Sequence, residues 1–379
     1  QALAVFEQIT QRAPTLAAAW SHLGHLRREL GLQAQAAEAF ATALRLGADP
    51  ELHRFYLASV GDGAAPAAPP RAYVQQLFDG YAADFDAHLV GTLGYHAHEA
   101  LVERARAHLG TVPVDDALDL GCGTGLSGPS LRPLARRLTG LDLSAAMLER
   151  CRARSVHDRL VHADAADFLA DTEDRFGLVV AADVLIYVGD PGPLFAAVQR
   201  ALVPGGLWAF TVEEDPATGD DPDAPGWRLA PSLRYVHARQ ALLRQAQQRG
   251  FEVLQVDAAP VRTDQGRAID GLYAVLRRAR LGRTGPDRTG SGAGPATGPS
   301  AGSHDGPSAG PHDGPCRPMA PFGRCRDALR SRHCRASSRC RPAPWRPRMT
   351  APSFYDVPAT APWAIAPDTF LIPNLAPAG

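Results

Sequence analysis

The sequence predicts an α/β protein with a mostly parallel sheet, preceded by a helical segment. Between residues 115 and 212, short apolar runs alternate with helical patterns, which is typical of parallel strands with helices on both faces. A glycine-rich turn, Gly121-Cys122-Gly123-Thr124-Gly125, follows the first apolar run. Residues 1–60 instead keep alanine and leucine at helical spacing, with few turn residues. These patterns predict a helical segment over residues 1–60, followed by an α/β domain.

The length and charge of the chain limit the classes of function. A chain of 379 residues can hold two domains or more. Its net charge of −1 provides no global positive field for nucleic acid. No apolar run approaches the roughly 18 residues that a membrane span needs, and no charged-then-apolar signal is visible. We therefore expect a cytoplasmic protein, and we expect its N-terminus to be truncated within a helix.

Residues 1–60 carry the spacing of a helical repeat. Trp20-x-x-Leu23-Gly24 and Ala36-x-x-x-Phe40 follow the tetratricopeptide pattern of small and large residues, which lets two helices pack as a hairpin. We expect one full repeat between two partial ones. The segment then either forms a partner-binding groove or packs on the next domain as an extension. Residues 61–70 form a linker by composition.

The glycine turn leaves two cofactor classes open. Glycine is needed there because the backbone must adopt positive φ and let a ligand approach the main chain closely. The spacing Gly123-x-Gly125-x-x-Gly128 also matches a dinucleotide pattern. Asp119 argues against that pattern, since a carboxylate at the end of the first strand would repel a pyrophosphate. It suits a ligand that carries an ammonium group and a sulfonium.

The chain carries an ordered set of motifs after its predicted strands. The run LDLGCGTG lies at 118–125, Asp142, Asp164 and Asp183 follow the next three strands, and Pro204-Gly205-Gly206 precedes the fifth strand. In order and spacing this set resembles the class I S-adenosylmethionine-dependent methyltransferases. The resemblance implies a Rossmann-like sheet of seven strands, mostly parallel with one antiparallel strand.

The resemblance extends over residues 71–280, which we take as the methyltransferase domain. Phe78-Asp79-x-Tyr81-Ala82, residues 182–187 and Arg234-Tyr235-x-His237 are similar to predicted methyltransferases that carry an N-terminal tetratricopeptide segment. Similarity to that group implies a type of reaction, methyl transfer, but does not identify the methyl acceptor. It also implies that the helix around Tyr81 lies over the cofactor.

The resemblance implies S-adenosyl-L-methionine as cofactor and S-adenosyl-L-homocysteine as product. Asp142 is placed to accept both ribose hydroxyls, while Asp164 either accepts from the adenine amino group or caps a helix. Asp183 either binds the methionine ammonium or shapes the acceptor pocket. Cys122 is interpreted as a small residue that fills the turn. The full set of cofactor candidates is Asp119, Gly121, Cys122, Gly123, Thr124, Gly125, Asp142, Leu143, Met147, Asp164, Ala165 and Asp183.

Polar residues after the fourth and fifth strands are candidates for contact with the methyl acceptor. The catalytic candidates are Tyr187, Glu213, Tyr235 and His237, and the substrate-binding candidates are Tyr81 and Arg234. Arg234 and Glu213 can also pair with each other, and His237 can cap a helix over 238–249. We expect a flexible lid over 215–232, a helix that opens at Arg234, and no resident metal.

Residues 281–379 predict a disordered, low-complexity tail rich in Gly, Pro and Arg. Its four cysteines leave a zinc cluster with His333 open, although no Cys-x-x-Cys pair occurs. Its arginines leave an RNA-binding arm open. A third interpretation is out-of-frame or read-through sequence, with Met349 starting a neighbouring protein.

The sequence therefore predicts a methyltransferase that acts on an oxygen or nitrogen atom of a small molecule. We expect no nucleic acid and no membrane among its partners. Three alternatives stay open: a protein acceptor docked by the helical segment, an interaction module with an inactive methyltransferase-like domain, and an oxidoreductase that binds a nicotinamide dinucleotide.

Overall fold

The computed structural model describes residues 1–215, 224–264 and 267–280. Its helices are α1 (Ala2–Arg12), α2 (Ala17–Glu29), α3 (Gln33–Arg45), α4 (Pro50–Ser59), α5 (Arg71–Tyr81), α6 (Ala97–Arg106), α7 (Gly128–Leu131), α8 (Ala145–Arg154), α9 (Ala165–Asp171), α10 (Gly192–Ala201) and α11 (Arg239–Gln248), with a π-helical segment at Ala87–Thr92. The predicted tail, with its zinc and RNA interpretations, lies outside these residues.

The strands of the described residues form one sheet. They are β1 (Val114–Leu120), β2 (Ala135–Asp142), β3 (Arg159–His162), β4 (Phe176–Ala181), β5 (Leu202–Glu214), β6 (Trp227–Leu229), β7 (Tyr235–His237), β8 (Phe251–Asp264) and β9 (Arg267–Arg278). The first five are parallel in the order β3-β2-β1-β4-β5. Next to β5 lies antiparallel β9, which pairs with β8.

The predicted mostly parallel sheet with helices is confirmed, but the predicted number of seven strands is wrong. The described residues contain nine strands, because β6 and β7 add a hairpin at the far end of β5. Residues 234–237 were expected to open a helix, but Tyr235–His237 form β7 and the helix that follows, α11, begins at Arg239. The reason is that β5 continues to Glu214 and offers an edge that pairs with Val236 and His237. Residues 216–223 of the expected lid lie outside the described residues.

The sheet is apolar on both faces because helices cover both faces. On one face, Phe195 of α10 packs edge-on against Trp208, with ring centroids 4.6 Å apart, and both rings are fully buried. On the other face, Leu101 of α6 lies in a second cluster with Leu178 of β4 and Val275 of β9. Burial on both faces explains the continuous apolar runs of these strands.

The helical segment packs on the β6–β7 hairpin. Phe40 of α3 and Phe55 of α4 share one buried cluster with Leu229 and Tyr235. The Tyr235 hydroxyl donates to the carbonyl of Pro66 in the linker at 2.8 Å. The assignment of α1–α4 as tetratricopeptide repeats stays a prediction, whereas the packing itself attaches the helices to the sheet.

The linker also holds the loop that follows β4. The carbonyl of Ala67 accepts hydrogen bonds from the backbone N–H groups of Gly189, at 2.7 Å, and Asp190, at 3.1 Å. His237 Nε2 donates to the carbonyl of Val188 at 2.9 Å. Residues 188–190 are therefore fixed from the linker on one side and from β7 on the other.

We predict that Gly24→Ala destabilises the protein. A Cβ at Gly24 would lie 2.6 Å from ring atoms of Phe40, so α2 and α3 would have to separate. Overpacking of this kind costs about 1–3 kcal/mol, and the free energy of unfolding in denaturant measures it.

Gly80→Ala in α5 is the matched control. Gly80 is exposed and a Cβ there meets nothing within 4 Å, so alanine should stabilise the helix by about 0.5–1 kcal/mol. Equal stability of the Gly24→Ala protein and the wild type would contradict the close packing of α2 on α3.

Candidate active site

The glycine turn after β1 lies at the carboxyl edge of the parallel strands. Gly121, Gly123 and Gly125 have φ values of 68°, 53° and 86°, in the left-handed region that glycine favours. A Cβ at Gly121 would lie 2.4 Å from Val184, and a Cβ at Gly125 would lie 2.8 Å from the sulfur of Cys151. The turn is therefore pressed between the loop after β4 and helix α8.

Asp142 ends β2 directly beside this turn. Its carboxylate accepts the backbone N–H of Gly123 at 2.8 Å and that of Ser144 at 2.8 Å. Burial raises its pKa to about 6. Leu143 follows it in the chain, and Met147 is buried in the first turn of α8. The structure thus brings the second-strand acid and the glycine turn together.

Asp164 is the N-cap residue of α9, which agrees with one of the two interpretations of its sequence position. Its carboxylate accepts the N–H groups of Ala166, at 2.8 Å, and Asp167, at 3.3 Å. It also pairs with Arg71 of α5 at 3.3 Å. Ala165 is the first residue of α9. A contact of Asp164 with adenine stays a prediction.

Asp119 lies behind the turn. Its residue is 1% exposed, and its carboxylate contacts His157 Nε2 at 3.0 Å. Burial alone would lower the pKa of His157, but the hydrogen bonds to Asp119 and Cys151 raise it to about 9. Sequence reasoning did not find His157, because the residue stands in a loop 38 positions away from Asp119.

Asp183 follows β4 in a strained backbone conformation. Its φ is 56°, which is uncommon for a residue other than glycine. Its N–H donates to the hydroxyl oxygen of Thr211 at 2.8 Å, and that hydroxyl donates back to its carboxylate at 3.2 Å. Burial raises the pKa of Asp183, and Arg262 opposes the rise.

Two arginines and two carboxylates form a buried cluster at this edge. Arg262 pairs with Asp183 at 3.5 Å and contacts Glu213 directly, while Arg234 lies 3.7 Å from Glu213. Arg234 also forms a hydrogen bond with Tyr187, whose pKa is raised by burial. The predicted candidates Tyr187, Glu213 and Arg234 are thus neighbours. Sequence reasoning missed Arg262, whose partner Glu213 is 49 residues away.

Tyr235 and His237 are committed to structural contacts. Tyr235 is fully buried, and its hydroxyl donates a hydrogen bond to the Pro66 carbonyl. His237 is 1% exposed, and burial lowers its pKa to about 4, so the ring is neutral near pH 7. Their direct participation in chemistry stays a prediction.

The segment from α5 to the π-helix lies across the turn. Asp79 accepts a hydrogen bond from the Ser144 hydroxyl at 2.6 Å, and Asp86 accepts one from the Thr124 hydroxyl at 2.5 Å. Phe78 packs edge-on against Tyr187, with ring centroids 5.4 Å apart. Next to it, Tyr81 bonds through its hydroxyl to the ring of His88. That this helix lies over the cofactor stays a prediction. Asp79 belongs to a motif quoted from the sequence, but neither Asp79 nor Asp86 was among the predicted site residues.

The described part of the chain contains neither a cluster of metal ligands nor a membrane-spanning helix. Within residues 1–215, 224–264 and 267–280, no three His, Cys, Asp or Glu side chains are arranged to hold a metal ion. Among the same residues, no helix combines the length and the apolar character required to cross a membrane. The cytoplasmic location stays a prediction.

Residues 118–210 match the family model described as a methyltransferase domain. The segment begins within β1 and ends within β5, and it includes the glycine turn, Asp142 and Asp183. It is less than half of the chain. The similarity to methyltransferases therefore concerns the part of the molecule in which the site lies.

Curated relatives share this similarity. The chain is 33% identical over 126 residues to Nodulation protein S of Rhizobium tropici, covering 32% of this chain and 50% of the relative. It is 33% identical over 99 residues to Ubiquinone biosynthesis O-methyltransferase of Thiobacillus denitrificans, covering 24% and 41%. The chain thus spans about half the length, or less, of these relatives.

A solved structure is also similar. The crystal structure of the N-methyltransferase NodS from Bradyrhizobium japonicum WM9 in complex with S-adenosyl-l-homocysteine is 19% identical, with a TM-score of 0.42. The match covers 54% of this chain and 97% of that chain.

We predict that Arg262→Met destabilises the protein by about 3–5 kcal/mol. The substitution removes the shared partner of Glu213 and Asp183 and leaves Arg234, 3.7 Å from Glu213, as the cation beside two buried carboxylates. Denaturant unfolding measures the loss.

Arg159→Met is the control for this experiment. Arg159 pairs with Asp174 at 2.8 Å, but the two side chains are 55% and 46% exposed, so the loss should stay below about 1 kcal/mol. Equal losses for the two variants would show that the buried cluster has no special weight in stability.

Proposed function

We propose that the chain binds S-adenosyl-L-methionine at the glycine turn and transfers its methyl group to an oxygen or nitrogen atom of a small molecule. The observation that carries the proposal is the 2.8 Å hydrogen bond from Gly123 to Asp142, inside a segment that matches methyltransferase domains. It sets an open stretch of backbone and a carboxylate side by side. A ligand with a ribose and a charged tail requires both.

The residues present fit this cofactor. Each carboxylate oxygen of Asp142 accepts one backbone N–H and keeps a second lone pair for a ribose hydroxyl. At Gly123, a Cβ would meet only Phe85, at 3.9 Å, so a ligand can approach the main chain. We assign the adenosine to Asp142, Leu143, Met147, Asp164 and Ala165, and the charged end to the glycine turn and Asp183. Asp119, which was predicted to bind the cofactor, is buried against His157 and supports the turn from behind.

The chain contributes position and exclusion of water. When bound, the cofactor supplies a methyl group that its sulfonium activates. Tyr187, Glu213 and Arg234 contact one another beside Asp183, to which Arg262 links the cluster, and we assign to them the orientation of the acceptor for in-line attack. A base is required only where the acceptor arrives protonated. We assign to His237 a positioning role, because its hydrogen bond to the Val188 carbonyl holds the loop next to Tyr187.

A small-molecule acceptor is favoured over a protein acceptor. The name of the ubiquinone biosynthesis relative describes an O-methyltransferase of a small-molecule pathway. In addition, Phe40, Phe55 and Tyr56 of the helical segment pack within one cluster with the β6–β7 hairpin and are used there. Docking of a protein acceptor by α1–α4 remains the alternative, as does an inactive domain behind an interaction module.

We predict that the full chain binds S-adenosylhomocysteine with micromolar affinity and that Asp142→Asn weakens binding at least tenfold. Charge-assisted hydrogen bonds to ribose hydroxyls are each worth about 1.5–3 kcal/mol. Isothermal titration calorimetry measures the dissociation constant. Asp174→Asn, at an exposed surface pair, is the control and should bind as the wild type does.

NADH is titrated in parallel. Binding of NADH in place of S-adenosylhomocysteine would favour the oxidoreductase alternative. Binding of neither ligand would refute the enzymatic proposal and favour an interaction module.

We predict that cofactor affinity falls in mild acid. The pKa of Asp142 is about 6 without ligand, above its ordinary value of 3.8 because of burial. The ribose hydroxyls donate to the ionised carboxylate, so binding must remove the proton below pH 6. The dissociation constant of S-adenosylhomocysteine should therefore rise about tenfold between pH 7 and pH 5. In Asp142→Asn it should stay flat, and a pH-independent wild type would refute this role.

A further inference from the structure

Four side chains form a chain of contacts directly behind the glycine turn. Cys122 and Cys151 share one small buried cluster, and the Cys151 sulfur lies 3.3 Å from Nδ1 of His157. His157 contacts Asp119 through its other nitrogen at 3.0 Å. Cys122 is 6% exposed and Cys151 is 1% exposed, and both are free thiols. Two thiols, an imidazole and a carboxylate thus follow one another.

The contacts make the two thiols chemically different. Hydrogen bonds from Cys122 and from His157 lower the pKa of Cys151, against the effect of burial. The hydrogen bond to Cys151, together with burial, raises the pKa of Cys122. Asp119 holds the proton of His157, so the imidazolium faces the Cys151 sulfur. Cys151 is the thiolate and Cys122 is the thiol beside it, which is the arrangement of an attacking and a resolving cysteine.

We propose that Cys122 and Cys151 form a reversible disulfide in response to hydrogen peroxide and that this bond disables the glycine turn. The Cys151 thiolate attacks one peroxide oxygen, an S–O bond forms, the O–O bond breaks, and the departing hydroxide takes the proton of His157 and leaves as water. Cys122 sulfur then attacks Cys151 sulfur, the S–O bond breaks, and hydroxide leaves as water with the Cys122 proton. Two thiols and one peroxide give one disulfide and two water molecules.

Cys122 is part of the glycine turn, so a disulfide at Cys122 would change the geometry of that turn. An S–S bond is about 2.05 Å long, far shorter than a contact between two thiols, so the turn and α8 must approach each other. The space is already filled, because a Cβ at Gly125 would lie 2.8 Å from Cys151 and a Cβ at Gly140 would lie 3.0 Å from Cys122. The turn must therefore leave the geometry in which Gly123 bonds to Asp142. The loss of cofactor binding rests on the proposed function, whereas the formation of the disulfide does not.

The first experiment locates the bond in the full-length protein. Reduced protein is treated with hydrogen peroxide, the remaining thiols are alkylated, and proteolytic fragments are identified by mass spectrometry. We expect a fragment that joins Cys122 to Cys151 and disappears after dithiothreitol. The cysteines of residues 281–379 serve as internal references. Oxidation of those cysteines while Cys122 and Cys151 are alkylated would overturn the proposal.

Variants test the order of the steps. In Cys122→Ser, the sulfenic acid of Cys151 has no resolving thiol and should be trapped by dimedone. In Cys151→Ser, dimedone should label nothing at Cys122. The reverse labelling would overturn the assigned roles, and His157→Gln should slow the labelling of Cys151.

The second experiment measures S-adenosylhomocysteine binding before oxidation, after oxidation and after reduction by dithiothreitol. We expect at least a tenfold loss on oxidation and full recovery on reduction. Unchanged affinity of protein that contains the disulfide would overturn the claim that the bond disables the turn. Absence of binding by the reduced protein would instead refute the proposed function, and the fragment map would still decide whether the disulfide forms.

Discussion

The left-handed backbone of the turn after β1 is the constraint on which the rest of the site depends. At Gly121 the turn leaves no room beside Val184, and at Gly125 it leaves none beside Cys151. Any side chain at either position would push away the loop after β4 or helix α8. The N–H of Gly123 can meet Asp142 only because the backbone turns this tightly.

The neighbouring buried charges are arranged to cancel. Arg234 and Arg262 face Glu213 and Asp183, so the cluster carries no net charge when all four groups are ionised. Such a cluster adds little stability compared with apolar packing, but it fixes polar groups in a water-poor region. Asp183 is held there despite its φ of 56°, by hydrogen bonds to Thr211. A strained acid at the end of a central strand is typical of a position kept for binding.

The sequence predicted the parallel strands and the glycine turn, because both depend on residues that are close together in the chain. The alternation of apolar runs gave the parallel strands, and positive φ at the glycines followed from the turn itself. What the sequence did not reveal depends on partners far apart in the chain. Tyr235 bonds to a carbonyl 169 residues away, and Arg262 reaches Glu213 across 49 residues. A three-residue strand such as β7 forms only where a neighbouring strand offers a free edge to pair with. The three residues alone therefore do not show whether they will form a strand or part of a helix.

The contacts of the linker have a consequence for how the chain can change over evolution. Ala67 fixes Gly189 and Asp190, and Phe55 shares its buried surroundings with Tyr235. The helices therefore cannot be exchanged for those of another protein as an independent module, because the loop beside Tyr187 would lose its support. Substitutions at Phe55 and Tyr235 should be inherited together. The helical segment therefore supports the loop after β4 and is part of the same packed structure as the sheet.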